Sequence, residues 1–212
     1  MSRDKTRVFE LAAVVVTALG KFIFMDYLQW KLPFILAAIA YWVSYVIFQR
    51  NRHPKLTRHW GFRTDNFWAA SRLILPFGLA STVAFIGIGL YQGTLHITWH
   101  ILPILLLYPI WGTIQQFLLI GLVVGNLQDL EQYRPAKVFT ILAAALLFGA
   151  IHYPFAWLII GTFILALVYG FVYLRQRNLY ALGIFHGWLG GLFFYTVVNR
   201  DPFVEVFGRF LP

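Results

Sequence analysis

Seven apolar runs, separated by short polar connections, govern what this chain can become. They lie near Val8–Tyr27, Pro33–Phe48, Phe67–Tyr91, Ile97–Val124, Val138–Ile151, Phe155–Leu174 and Leu179–Val198. In lipid, backbone polar groups must be satisfied internally, so runs of this kind cross as helices. Each crossing needs about 20 residues, and a chain of 212 residues has room for about seven and little else. Composition agrees. Apolar residues make up 60% of the chain and charged residues 12%, against roughly 45–50% and about 25% in a soluble domain. The expected fold is an all-α, polytopic transmembrane helical bundle of about seven spans, with residues 1–212 as a single integral membrane domain.

The fourth run is too long for one straight crossing. Its 28 residues would extend ~42 Å as a helix, against a hydrocarbon core of ~30 Å. Pro103 and Pro109 offer kink points, so Ile97–Leu107 is expected to lie shallow or to bend. No internal repeat is evident, and there is no pair of broken helices in matching halves. Both absences disfavour a transporter.

Charge sets the expected orientation. With the N-terminus inside, cytoplasmic segments hold twelve of the seventeen basic residues and the opposite side three; Lys21 and Arg72 sit near span ends. Loops rich in Lys and Arg stay in the cytoplasm, which predicts an N-in, C-out protein of the plasma (cell inner) membrane. The dense loop Arg50, Arg52, Lys55, Arg58 and Arg63 is explained by that rule. No recognition motif accompanies it, so no nucleic-acid partner is expected. No small-residue cleavage site stands out, so Val8 onward reads as a retained span. The chain has no cysteine, which removes disulfides, thiol catalysis and cysteine-ligated zinc.

Three polar points interrupt the later spans. They are Gln115-Gln116, His152 at the end of Phe148-Gly-Ala-Ile-His152, and His186 at the start of His186-Gly-Trp-Leu-Gly190. Ionisable side chains inside a span are costly and mark functional sites by default. Plainer roles stay open. The glutamines also suit interhelical hydrogen bonding, and His152, just before Tyr153-Pro154, suits a helix end. Gly183, Gly187 and Gly191 recur at spacing four, a face that lets helices approach closely. Gly190 adjoins it. Counted from the cytoplasmic side, Gln115 lies ~16 Å from Asn126 but His152 ~22 Å from Lys137, so the two need not share one level.

In their order and spacing these segments resemble the three motifs of the CAAX-processing and bacteriocin-processing (CPBP, or Abi) intramembrane proteases. That family's pattern is Glu-Glu-x-x-x-Arg, then Phe-x-x-x-His, then His-x-x-x-Asn or a similar polar residue. The resemblance covers about residues 105–198. It implies an endopeptidase that cleaves hydrophobic or lipidated (CAAX-type) peptides at the membrane. A motif-one glutamate would activate water, the motif-two histidine would position it, and the motif-three histidine and its partner would steady the oxyanion. The implied site is Gln115, Gln116, His152 and His186.

This chain departs from the pattern at four positions: Gln115 and Gln116 replace the glutamates, Ile120 the arginine and Gly190 the asparagine. An amide cannot accept a proton near neutral pH, though its carbonyl oxygen can orient water. Arg and Glu at i and i+4 would pair, so losing one removes the reason to bury the other. The substitutions therefore predict a weakened catalytic site, or a pseudoprotease that binds peptide or lipidated segments as an adaptor or immunity-type factor.

No metal or cofactor is expected. His96 and His100 share one helical face, but no third ligand is near. No nucleophile elbow, His-Glu-x-x-His motif or pair of buried aspartates is present. Glu10 and Asp26 are expected to be interfacial charges, Glu10 beside Arg7.

Overall fold

The computed structural model describes residues 3–208, and every regular element among them is helical. Six helices are long and apolar enough to cross a membrane: α1 (Arg3–Tyr27), α2 (Lys31–Arg52), α4 (Phe67–Gln92), α5 (Ile101–Asp129), α7 (Ala156–Arg175) and α8 (Leu179–Val198). Two short helices are α3 (Pro54–Trp60) and α9 (Pro202–Phe207). The fifth apolar run becomes α6 (Lys137–Ala150), of 14 residues. At ~21 Å it falls short of a full hydrocarbon core. The chain turns at residues 151–154, and α7 then packs back along α6.

Polar ties gather at the two ends of the bundle. At one end Asp4 accepts from the Glu131 and Gln132 backbone N–H groups at 3.1 and 3.2 Å. Arg177 there holds both Asp129 oxygens, at 2.9 and 2.8 Å. The guanidinium of Arg63 grips Asp65 beside them and holds its carboxyl down at about 2. Asn178 caps α8 by accepting from Ala181 N–H at 2.9 Å, as helix N-caps commonly do. Its amide donates to the Arg63 carbonyl at 2.8 Å. Gly61 adopts φ +104°, and a Cβ there would meet the backbone of Arg177 and Asn178 at 3.0 Å. Only glycine therefore lets the α3–α4 loop lie on the α7–α8 turn.

The fourth span corrects the expectation at both ends. It begins at Ile101 rather than Ile97 and continues to Asp129 rather than Val124. Asn126, Gln128 and Asp129 read as loop residues, yet each finds a partner. Asn126 donates to Glu10 at 2.6 Å, and Gln128 to the Pro135 carbonyl at 2.8 Å. Gln115 then lies ~21 Å from the end of its helix and His152 ~22 Å from the start of its own. The difference in depth disappears.

Glu10 is likewise not an interfacial charge. It is buried, accepts from Asn126 and Tyr45, and Tyr45 in turn accepts from Gln49 at 2.8 Å. Hydrogen bonds from α2 and α5 replace the water that a surface carboxylate would have. Nearby, Trp42 and Trp60 pack their rings against Phe117, with centroids 6.0 and 5.2 Å away. These contacts fasten the first helices to the bundle centre.

Candidate active site

Gln115 and Gln116 lie about two turns beyond Pro109 and just before Phe117–Val124, where α5 widens to π-helical winding. Such windings recur at functional sites. The two glutamines diverge. Gln115 is half-buried and lines a cavity of about 500 Å³. Gln116 is fully buried and sets its amide nitrogen 3.0 Å from His186 Nδ1.

His152 follows the end of α6, with Nδ1 2.7 Å from the Phe148 carbonyl. The Thr162 hydroxyl donates to that same carbonyl at 3.3 Å. The Phe148 ring lies between the two imidazoles, its centroid 5.1 Å from His152 and 5.7 Å from His186. Both histidines line the cavity with Gln115 and Gly190. The structure thus brings Gln115, His152 and His186 to one cavity, with Gln116 behind His186.

The carbonyl contact fixes the tautomer of His152, and the amide orientation of Gln116 sets that of His186. A carbonyl only accepts, so His152 Nδ1 carries the proton and its Nε2 is the acceptor of the neutral ring. With its amide nitrogen facing His186, Gln116 donates and His186 Nδ1 accepts, which puts the proton on Nε2; turning the amide would give its otherwise unpartnered oxygen a donor at Nδ1. One imidazole can take a proton from water while the other donates to an oxyanion. Among the described residues no group of three His, Cys, Asp or Glu side chains comes together. His100 instead meets Asp201 at 2.5 Å.

α8 reaches α5 closely through its glycines. A Cβ on Gly183 would stand 2.6 Å from Thr113 Cα, and one on Gly187 2.7 Å from Pro109 Cα. Pro109 has no backbone N–H, so nothing polar is stranded at that contact. Gly190 differs, since a Cβ there would meet only the Tyr108 ring at 3.8 Å. Ile120 is fully buried and packed in the apolar core.

A family model described as "Type II CAAX prenyl endopeptidase Rce1-like" matches residues 94–191. This stretch, just under half of the chain, is similar to the family that its motifs resemble. The Rce1-like stretch contains all four site residues and Gly190, but not α1 or α2, which add Thr17, Lys21, Met25, Asp26 and Phe34 to the cavity lining. No curated protein and no solved structure matches the chain.

The reading from sequence missed the charged mouth of this cavity. Lys21 pairs with Asp26 at 2.6 Å, and Arg200 grips Glu205, 3.4 Å from Lys31. Asp201 caps α9 through the Phe203 and Val204 N–H groups. Burial pushes its carboxyl up, but hydrogen bonds with His100 and Tyr195 outweigh this and leave it below the usual range. These charges are far apart in sequence and sit at helix ends, where single residues read as ordinary snorkelling groups. Asp26 is exposed, as an interfacial charge should be, yet it also lines the cavity.

Proposed function

We propose that the cavity receives a hydrophobic or lipidated peptide and hydrolyses it slowly through its two histidines. The observation carrying this reading is that His152, whose Nδ1–H is held by the Phe148 carbonyl, and His186 line one apolar cavity with Gln115. Water held by the Gln115 carbonyl oxygen would attack the peptide carbonyl carbon, its proton passing to His152 Nε2. The oxyanion would meet the His186 Nε2–H, and His152 would return the proton to the leaving nitrogen. Loss of a tuned carboxylate base typically costs about 10²–10⁴-fold. The second reading, a pseudoprotease that binds without cutting, draws on Ile120, whose apolar burial leaves no counter-charge for a carboxylate at 115 or 116.

Purified protein in detergent, offered prenylated or hydrophobic peptides, is expected to bind them and cleave them slowly. His152→Ala should lower cleavage about tenfold or more with binding retained. Cleavage unchanged in His152→Ala overturns the histidine mechanism, and binding without cleavage in both proteins selects the pseudoprotease.

Orientation is part of the same reading. The end that gathers Asp4, Arg63, Asp129 and Arg177 carries the basic loops and faces the cytoplasm of a plasma membrane. The charged mouth then faces outward. Reporter fusions after Thr64 and after Pro212, the latter outside the described residues, should report opposite sides. The opposite sides follow if the short α6 completes a seventh crossing beside the six long helices; matching signals would overturn that seventh crossing.

A further inference from the structure

We infer that Arg200, with Lys31 and Lys21, anchors the terminal carboxylate of the peptide in the cavity. This rests on the peptide-binding reading above and adds which end of the ligand sits at the mouth. The Arg200 guanidinium lies over the Phe155 ring at 4.2 Å, three residues beyond His152. Its Nε and Nη2 are taken by Glu205, the latter at 2.6 Å. Nη1 is buried and has no hydrogen-bond partner among the described residues. A buried donor left unsatisfied is costly, and one on a cation more so. An arriving anion supplies the missing acceptor.

Charge selects the anion. The cavity lining includes Lys21, Lys31 and Arg200 against Asp26 and Glu205, an excess of one positive charge. A carboxylate neutralises that excess, whereas a phosphate dianion would overshoot it and face two fixed carboxylates. The remaining lining selects the chain that carries the carboxylate. Most of it is apolar, but Gln115, His152 and His186 share it. A hydrocarbon tail would leave those groups unpaired, while a peptide backbone offers them partners.

The test is fluorescence anisotropy of one labelled hydrophobic peptide, prepared with a free C-terminal carboxylate and as its C-terminal amide. Binding is measured to the full chain in detergent, with a sixteen-carbon fatty acid as a third ligand. The acid should bind about tenfold tighter than the amide. Arg200→Gln should abolish the difference. Glu205→Gln, which releases Arg200 and removes an opposing charge, should strengthen acid binding, a gain that misfolding cannot mimic. Equal binding of acid and amide to the unmodified protein overturns the anchor and leaves peptide binding standing. Fatty acid binding that depends on Arg200, with neither peptide bound, overturns the peptide as occupant. No binding of any of the three removes both readings.

Discussion

Gly187→Ala should separate α8 from α5 and disassemble the site in one step. Its Cβ would stand 2.7 Å from Pro109 Cα, and the same change at Gly183 2.6 Å from Thr113 Cα. Backbone atoms cannot rotate away as a side chain can, so the helices must move apart. Overpacking typically costs about 1–3 kcal/mol and occasionally more, and both sites belong at the upper end because backbone is struck. Chemistry is lost with stability, because Gln116 on α5 and His186 on α8 meet at 3.0 Å only across this seam. Thermal melts in detergent should show a clear drop for Gly183→Ala and Gly187→Ala. Gly87→Ala is the control. A Cβ there meets nothing within 4 Å, and alanine in a helix gains about 0.5–1 kcal/mol over glycine. Melts of Gly187→Ala and wild type that coincide would refute the close approach.

The second large effect concerns the missing carboxylate. Cleavage by the unmodified protein should be slow, and Gln115→Glu alone should help little. With Ile120 in place no cation stands a turn away on the same helix, and burial favours the neutral form of the new side chain. Gln115→Glu, Gln116→Glu, Ile120→Arg and Gly190→Asn together should raise the rate about 10²-fold or more. The introduced arginine reaches the second new carboxylate one turn away. The introduced asparagine enters open space beside Tyr108. Initial rates on one hydrophobic peptide decide the matter. If the quadruple variant folds yet stays as slow as its parent, the lost carboxylate is not what limits the site. If instead the parent is already fast and His152→Ala abolishes its activity, an amide-and-histidine mechanism suffices.

Hydropathy alone locates most helices, since lipid leaves a helical backbone few alternatives. It places the last span at Leu179–Val198, where the helix lies. It fails where polar residues are buried with partners. Asn126, Gln128 and Asp129 look like a helix end, and Glu10 like a surface charge, because no local pattern reveals a bond to another helix. Gln115, His152 and His186 stand out because polar groups within apolar runs are conspicuous. Which glutamine faces the cavity is not legible, since adjacent residues on a helix point about 100° apart and only tertiary packing sets the phase. The tautomers are equally hidden. They depend on the Phe148 carbonyl and the Gln116 amide, neither of which a motif specifies.

Two of the stretches that build the cavity wall carry different obligations. Helices α5 to α8 carry the glutamines and histidines, and the glycine seam leaves them little room to vary. The first helix contributes Thr17, Lys21, Met25 and Asp26 and is held by Asp4 to the 131–132 backbone, by Glu10 to Asn126 and Tyr45, and by Thr17 to Trp42, none of them a histidine contact. Substitutions facing the cavity from α1 can therefore reshape what is admitted without touching the reacting groups. An exchanged first helix is thus the natural unit for changing what the cavity admits while the histidine pair stays in place.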